Sequence, residues 1–353
     1  MKTECLSRLS RRWLLGALGA AALLRAAPVD ENFFGRWALT TPNGHTGWFE
    51  IKPERGWFDG SLLWEGGSVL PVASVAIADG TLTVTRLHDL PWKNAAGTVV
   101  RTQQLTDVIT AHLEGDTLKL AIVAPRPDGR GADRGEFAGR RIPALPPRPD
   151  LAKARFGEPI VRLNGCDLAD WRLVEPDAVN GWSLEEGALV TRPVQTEGQP
   201  RKHYGNLRTD REFEDFNLRL EVRVHAGSNS GVYLRGLCEV QVLDSFGKPL
   251  DSHNMGAIYS RLAPAVAAEK PAGEWQSFDI TLLDRHATVV LNGTTIIDNQ
   301  SLQGCTGGAL WSDELRSGPI YLQGRSRCRR LSQSRSPFDP EVTIINRMTR
   351  KSP

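Results

Sequence analysis

The chain has 353 residues and a net charge of +2, with 34 Gly and 22 Pro distributed among many short apolar runs. This length suits two domains, and the lack of heptad or low-complexity patterns argues against coiled-coil and fibrous classes. Five Lys or Arg side chains lie in residues 1–27 and eight in residues 325–353. Because the whole chain has a net charge of only +2, the part between these two ends is acidic. An acidic body argues against nucleic acid as a ligand and favours a neutral ligand or a cation.

Residues 1–27 have the features of an export signal. A basic front that includes Arg11 and Arg12 precedes an apolar run over residues 14–24, and small residues follow it. A run of this length is too short to cross ~30 Å of hydrocarbon as a helix, and paired arginines are typical of the twin-arginine route. We expect export to the periplasm or the extracellular space, with no stable membrane insertion after the signal is removed. A retained membrane anchor is the alternative.

Residues 34–141 are predicted to form a small antiparallel β domain. Alternating runs such as residues 81–85 are separated by turn formers such as Asp79-Gly80. Hairpins repeated every ~8–12 residues indicate a small barrel or sandwich. No catalytic constellation stands out in this domain, and its scattered histidines are interpreted as surface or hydrogen-bonded residues rather than as ligands: His45, His88 and His112.

A proline-rich linker is predicted over residues 142–157, because proline at this density favours stiff, extended backbone. The second domain then follows over residues 158–324. Its clearest strand is residues 216–224, which alternates so that one face carries Leu218, Leu220, Val222 and Val224. Several further strands and few helical patterns indicate two packed antiparallel sheets.

Two adjacent strands of this domain are predicted to carry a polar face. By the two-residue period of a strand, Tyr233 and Arg235 point together, and so do Glu239 and Gln241, while their Val and Leu neighbours point to the core. Tyr259 extends the polar face. Planar hydrogen-bonding and stacking groups of this kind suit sugar hydroxyls. An ordinary solvated sheet face is the alternative that the pattern leaves open.

The second domain also carries six sequence blocks in a fixed order. They are residues 163–168 with Trp171, 229–236, 239–244, 256–259, 271–276 and 318–324. In this order the domain resembles the 3-keto-disaccharide hydrolase domain family over about residues 158–324. The resemblance implies a concanavalin/laminarinase-like jelly-roll sandwich with a concave sugar site. The predicted fold class is therefore all-β: a concanavalin-like jelly-roll β-sandwich preceded by a small antiparallel β-barrel or sandwich.

The resemblance further implies cleavage of glycosides already oxidised at C3 of the sugar. A C3 ketone acidifies the C2 proton, so a base can remove it and expel the C1 substituent, after which water adds. This chemistry needs a general base, a stabiliser for the enolate oxygen and groups that position the sugar. We hypothesise Glu239 as the base or a metal-side carboxylate and Arg235 as the donor to the enolate or to a hydroxyl. His253 is a second candidate base, with a merely exposed loop residue as the alternative. The expected substrate-binding residues are Asn229, Tyr233, Gln241, Tyr259 and Gln323.

The leading functional prediction is an exported glycoside-cleaving enzyme whose partner is a small carbohydrate. The one cofactor considered is a divalent cation, which would replace Arg235 as the electrophile. The main alternative is a non-catalytic carbohydrate-binding module, because sandwich folds bind sugars as well as cut them. A cell-surface interaction protein is a third alternative, which the additional first domain favours.

Residues 325–353 depart from the family pattern. After Gly324 the family continues with Asp-His-Gly and a closing strand, whereas this chain has a basic segment without strand alternation. Residues 325–333 can be encoded by codons that, when read from their second base, encode Asp-His-Gly. We therefore hypothesise a frameshift after Gly324, and resequencing of the gene tests it. We expect residues 325–353 to be disordered, apart from a short strand at residues 341–345, and we expect the sheet edge beside them to be unpaired.

Overall fold

Within its described part the protein is almost entirely β-structure. The computed structural model describes residues 31–160, 167–196, 199–200, 202–324 and 342–351, of which residues 159–160 and 342–351 are described as backbone only. The predicted signal at residues 1–27 lies outside the described residues. Two short 3-10 helices, Glu31–Phe33 and Leu151–Lys153, are the helical elements of the described ranges. The all-β prediction is confirmed. No helix in these ranges has the length and apolar character that a membrane-spanning segment needs.

Nine antiparallel strands form the first sheet. They are β1 (Gly35–Thr40), β2 (Thr46–Glu54), β3 (Trp57–Trp64), β4 (Leu70–Pro71), β5 (Ser74–Ala78), β6 (Thr81–Lys93), β7 (Val99–Glu114), β8 (Thr117–Pro125) and β9 (Ala132–Arg141). Their order is β4-β3-β2-β1-β9-β8-β7-β6-β5. The edge strands β4 and β5 adjoin in sequence, and the residues between them bond both ends of the sheet, Val72 N–H to Gly60 O and Ala73 N–H to Thr85 O. The sheet therefore curls until its edges meet, as a small barrel.

The barrel has an apolar interior because its strands alternate. Trp37 and Leu39 of β1 are fully buried, and Trp37 lies opposite Phe49 of β2. Phe49 and Ile51 of β2 are buried in the same cluster. The residues between these positions face outward, which is the pattern that a half-buried strand requires.

Two sheets form the second domain. Their strands are β10 (Phe156–Ile160), β11 (Trp171–Leu173), β12 (Trp182–Glu185), β13 (Ala188–Thr191), β14 (Leu207–Thr209), β15 (Phe216–Val224), β16 (Asn229–Leu234), β17 (Cys238–Leu243), β18 (Trp275–Leu283), β19 (His286–Leu291), β20 (Thr294–Ser301), β21 (Tyr321–Leu322) and β22 (Val342–Lys351). One sheet has the order β12-β13-β22-β15-β18-β19-β20, with β10 beside β22, and the other has the order β11-β14-β21-β16-β17. Consecutive strands cross repeatedly from one sheet to the other, as in a jelly-roll sandwich.

The sandwich core follows the predicted alternation. Leu218, Leu220, Val222 and Val224 are all buried, and they belong to one cluster with Val232, Leu234, Val240 and Val242 of the facing sheet. The residues between them on β15 are more exposed, with Arg219 and Glu221 at the surface. Apolar side chains from both sheets thus fill the interior, which leaves the other face of β16 and β17 for polar residues.

The C-terminal segment differs from the sequence expectation. Residues 325–341 lie outside the described residues, but residues 342–351 form β22, which is longer than the short strand expected at residues 341–345. This strand pairs with β15 along nine residues and also with β13 and β10. The sheet edge that was expected to be unpaired is therefore paired, because the backbone groups of β15 take the nearest extended segment as a partner.

The two domains share a packed interface. Trp48 and Leu63 of the first domain belong to the core cluster of the second. The Trp48 ring lies under the Arg261 guanidinium, with 4.1 Å between the guanidinium carbon and the ring centroid. A Cβ atom added to Gly304 would lie 2.4 Å from two atoms of this ring, so the ring fills the space that the glycine leaves free. The linker lies along the second domain, where Asn299 Nδ2 donates to Pro149 O at 2.8 Å. The interface places loops of the first domain beside the polar face of the second.

Candidate functional site

A cavity of about 460 Å³ lies between the domains, at the face of the sheet that contains β16, β17 and β21. Five of the eight site residues predicted from the sequence line it: Asn229, Glu239, Gln241, Tyr259 and Gln323. The first domain lines the remaining side with Gly44, His45, Thr46, Glu65, Gly66 and Gly67. A concave cavity of this size, with convergent polar groups, suits a small-molecule ligand.

The register of the strands explains why these side chains meet. β16 and β17 form the predicted hairpin, in which Gly231 lies opposite Gln241 and Tyr233 lies opposite Glu239. β21 pairs with the other edge of β16 and places Tyr321 opposite Tyr233. Because residues two apart on a strand share a face, Glu239 and Gln241 both point into the cavity.

Glu239 is a buried acid in the wall of this cavity. Its side chain is 3 % exposed, and its backbone N–H donates to Thr306 Oγ1 at 2.9 Å. Burial raises the pKa of Glu239 from an ordinary value of 4.5 to about 8. A Cβ atom on Gly231 would lie 2.0 Å from Glu239 Oε1, so the carboxyl group occupies the space that this glycine leaves free. The cavity therefore contains a carboxyl group that exchanges its proton near neutral pH.

Tyr233 forms a hydrogen bond whose direction depends on the charge of Glu239. Its hydroxyl lies 2.9 Å from Glu239 Oε2 and 2.6 Å from Gly307 O, yet it has a single proton to donate. When Glu239 is protonated, the carboxyl O–H donates to Tyr233, and Tyr233 donates to Gly307. When Glu239 is ionised, Tyr233 donates to the carboxylate instead. Burial and the nearby Glu239 raise the pKa of Tyr233 well above its ordinary value, so the phenol keeps its proton in both states.

Two amide oxygens in the cavity wall have no hydrogen-bond partner within the described residues: Asn229 Oδ1 and Gln241 Oε1. The Gln241 side chain is also almost fully buried. A buried polar atom without a partner costs about 1–3 kcal/mol, which a ligand hydroxyl would recover by donating to it. These two amides are therefore suited to hold a polyhydroxylated ligand.

In the second domain, three lining residues with polar side chains were not among the predicted site residues: Tyr321, Asn206 and Glu175. Tyr321 stacks on Tyr233 with ring centroids 4.2 Å apart, and its hydroxyl accepts from Asn206 Nδ2 at 2.8 Å. Burial raises the pKa of Tyr321, so its own proton stays available to a ligand. Tyr321 could have been predicted from the sequence, because it lies two positions before the predicted site residue Gln323. Asn206 and Glu175 lie outside any strand, so strand periodicity could not have predicted them.

His253 lies beside the cavity and bridges the two domains. Its Nδ1 is 2.5 Å from Asp251 Oδ1, and its Nε2 is 2.8 Å from Ser68 Oγ of the first domain. Its ring packs edge-on against Tyr259 at 4.8 Å. Because both ring nitrogens already have partners, this geometry fits His253 for positioning Tyr259 and the Ser68 loop rather than for taking a proton from a ligand.

The expected placement of Arg235 beside Glu239 is wrong. Arg235 follows the end of β16 with φ +58°, and this left-handed backbone breaks the alternation that would have aligned it with Tyr233. Its buried guanidinium donates instead to the backbone oxygens of Glu314 and Arg316. Burial also lowers the pKa of Arg235. This residue holds the loop at residues 314–316 and does not reach the cavity.

The charged groups that line the cavity are acidic. Glu65, Glu175 and Glu239 line it, and none of its lining side chains among the described residues is Lys or Arg. The described residues also contain no group of three or more His, Cys, Asp or Glu side chains arranged to hold a metal ion. The surroundings disfavour an anionic ligand, because a negative charge would lie near the carboxylates without a cationic partner.

The raised pKa of Glu239 predicts a dependence of stability on pH. The folded state holds this proton up to about pH 8, whereas the unfolded chain releases it near 4.5. The stabilisation is thus fully present below pH 4.5 and is lost as the pH rises to about 8, by a few kcal/mol at most. Urea unfolding should show the free energy of unfolding of the wild type falling over this interval by more than that of Glu239→Gln. Equal slopes for the two proteins would contradict the prediction.

Comparison with known proteins agrees with the sequence resemblance. Residues 158–332 match the family model described as "3-keto-alpha-glucoside-1,2-lyase-like domain". No curated protein sequence matches the chain. Solved structures with similarity include a candidate glycosyl hydrolase from Parabacteroides distasonis, with 26 % identity over 60 % of this chain and 92 % of that chain and a TM-score of 0.43.

Two glucanases are more distant. The non-specific endo-β-1,3(4)-glucanase SCLam of family GH16 has 11 % identity, covers 59 % of this chain and 94 % of its own, and has a TM-score of 0.36. The β-glucanase of Bacillus licheniformis has 9 % identity, covers 56 % of this chain and 99 % of its own, and has a TM-score of 0.32. With TM-scores this low, the fold assignment rests on the strand order described above. The family match therefore applies to the second domain: residues 158–332 match the 3-keto-alpha-glucoside-1,2-lyase-like domain, which supports a glycoside-acting function.

Proposed function

We propose that this protein is an exported enzyme that cleaves 3-keto-glycosides by elimination followed by hydration. The family match supports a glycoside-acting function, and the predicted signal supports action outside the cytoplasm. The observation that carries the proposal is Glu239, a buried carboxyl group with a pKa of about 8 that faces a polar cavity. A base with a pKa close to the working pH is well suited to abstract a carbon-bound proton.

The reaction begins when Glu239 takes the proton from C2 of the sugar, whose C3 is a ketone. The electron pair of the C2–H bond forms the enolate, and its collapse breaks the C1–O bond and gives a C1=C2 enone. The leaving group departs as an alcohol after it takes up a proton. The proton on Glu239 exchanges with the solvent at the enone stage. Water then adds its hydroxyl to C1 and releases a proton, which balances the one taken up by the leaving group, and Glu239 delivers its exchanged proton to C2. The net result is hydrolysis, with no change in oxidation state.

The remaining cavity residues fit the other tasks. Tyr321 keeps a proton that its hydroxyl can donate to the enolate oxygen, in place of the excluded Arg235. The unpartnered amides of Asn229 and Gln241 accept from ring hydroxyls. Tyr233 donates to Glu239 once the carboxylate is free again, which restores the base. Donors that are already oriented lower the barrier because they need no rearrangement during the reaction.

The direct test compares an α-glucosyl disaccharide with its 3-keto form, using the full chain. We expect the released sugar to appear only with the oxidised substrate, and we expect deuterium from the solvent at C2 of the product. Cleavage of the unoxidised disaccharide at the same rate would indicate an ordinary glycosidase and overturn the proposal. Binding of both compounds without any product would indicate the carbohydrate-binding module instead.

Gly231→Ala should lower kcat/KM about 100-fold, because a displacement of a catalytic group by about 1 Å costs this much. The new Cβ would meet Glu239 Oε1 at 2.0 Å and Cδ at 2.7 Å, and these atoms belong to the flexible end of a side chain, so Glu239 moves while the hairpin stays folded. The control is the double variant with Glu239→Gln, in which Gly231→Ala should cost almost nothing more. Additive losses in the double variant would show that Gly231 acts through some other group.

A further inference from the structure

The first domain contributes two loops to the cavity and is not a separate appendage. Gly44, His45 and Thr46 precede or begin β2, and Glu65, Gly66 and Gly67 follow β3. These two loops, which we call the first-domain rim, lie opposite residues 307–310 of the second domain. Thr46 Oγ1 donates to Ala309 O at 3.5 Å across this boundary.

The first-domain rim is held in place by close contacts. A Cβ on Gly307 would lie 2.3 Å from Gly67 O, so the two backbones approach as only glycine allows. Beyond Gly67, Ser68 bonds His253, and Val69 N–H donates to Ser260 Oγ at 2.8 Å. The Gly307 carbonyl also accepts from Tyr233, which contacts Glu239. A short chain of contacts therefore joins the first-domain rim to the proposed base.

The two sides of the cavity differ in character. On the sheet side, the amide oxygens of Asn229 and Gln241 are buried and have no partner within the described residues, which suits the one sugar ring that must react. On the rim side, His45 and Glu65 are exposed, and within the described residues neither side chain has a hydrogen-bond or ion-pair partner. The rim contains no aromatic side chain other than the His45 ring and no Lys or Arg. Such a surface fits a hydroxylated, uncharged group better than a flat aromatic or an anionic one.

We propose that the first-domain rim is a subsite for the group attached to C1 of the reacting sugar, and that His45, Thr46 and Glu65 select uncharged hydroxylated leaving groups. The proposal rests on the proposed function for the orientation of the sugar, since it places the reacting ring at Glu239. In this arrangement the second domain carries the reaction and the first domain sets the specificity. The histidine that the sequence suggested was merely a surface residue then acquires a role.

The test measures binding and turnover separately, because unoxidised glycosides cannot undergo the elimination. Calorimetry gives the Kd of methyl α-glucoside and of an α-glucosyl disaccharide for the full chain. In the wild type the disaccharide should bind more tightly than methyl α-glucoside. The double variant His45→Ala/Glu65→Gln should reduce this advantage about fivefold, as expected for the loss of about one hydrogen bond to the outer sugar of the disaccharide. The Kd of methyl α-glucoside should stay the same.

A third ligand tests the charge preference. A disaccharide whose outer sugar is a uronic acid should bind the wild type more weakly than the neutral disaccharide does, and Glu65→Gln alone should narrow that gap about threefold. The matched control is Glu136→Gln, which removes one charge from an exposed site of the same domain outside the cavity lining. Glu136→Gln should leave two differences in affinity unchanged: that between the disaccharide and methyl α-glucoside, and that between the neutral and the uronic-acid disaccharide.

The outcomes separate the two proposals. If the wild type shows the binding pattern but does not cleave 3-keto-disaccharides, the subsite stands and the proposed reaction fails. If it cleaves them but the rim variants change neither the disaccharide advantage nor the charge preference, the subsite is refuted and the reaction stands. A wild type that binds methyl α-glucoside and the disaccharide equally also refutes the subsite.

Discussion

Replacing Glu239 with Gln should lower kcat/KM on a 3-keto-glycoside by about 10²–10⁴-fold, the usual contribution of a positioned general base. Gln matches the shape of the protonated carboxyl group, which is the form that the folded protein holds at low pH. The free energy of unfolding at pH 5 should therefore hardly change. Loss of turnover without loss of stability would assign the effect to the proton transfer.

The pH profile of the wild type gives the direction of that transfer. A base acts only when ionised, so kcat/KM should rise with pH and level off above the pKa of about 8. A profile that falls through the same pKa would show that Glu239 donates its proton, which contradicts the assigned role. Glu221→Gln is the control, because Glu221 is an exposed carboxylate on β15 of the other sheet, and it should retain full turnover.

The strand period was sufficient to predict part of the site. Glu239 and Gln241 share a face on β17 because their backbone is regular, and the opposite face carries the buried Val240 and Val242. The same rule on β15 correctly placed Leu218 and its neighbours in the core. Local periodicity is reliable in these strands because one face of each is held by a continuous apolar interior.

The rule failed where the backbone leaves the strand. Arg235 has φ +58° in the turn between β16 and β17, so its side chain no longer follows the alternation of Tyr233. The φ of a non-glycine residue in a turn depends on the surrounding packing, here the loop at residues 314–316 that accepts its hydrogen bonds. No feature of the local sequence predicts that packing.

The rim side of the cavity could not be predicted for a different reason. His45 and Glu65 meet residues 307–310 only because the whole barrel docks on the sandwich, which is a contact between segments more than 240 positions apart. No periodic pattern encodes such a contact. The sequence offered glycines at positions 66, 67, 307 and 308, whose purpose becomes evident only when their backbones are seen to touch.

Trp48→Ala should lower the free energy of unfolding by about 3–5 kcal/mol, the range for removing a large buried aromatic side chain. Trp48 is 2 % exposed and lies between Gly304 and the Arg261 guanidinium. Its Nε1 has no hydrogen-bond partner in the described part of the chain, so the loss arises from packing and from the cation–π contact. Urea unfolding measures the loss.

Trp57→Ala is the matched control for this prediction, because Trp57 is the same residue type in the same domain but is 59 % exposed. Its change should stay within about 0.5 kcal/mol. If the two variants were equally stable, the barrel would not be anchored by Trp48. The cavity left by Trp48→Ala should also loosen the contact between Gly67 and Gly307. The tighter binding of the disaccharide relative to methyl α-glucoside should therefore decrease together with the free energy of unfolding. A domain that sets specificity must be held rigidly against the residues that react, and Trp48 is the larger of its two buried side chains in the sandwich core, the other being Leu63.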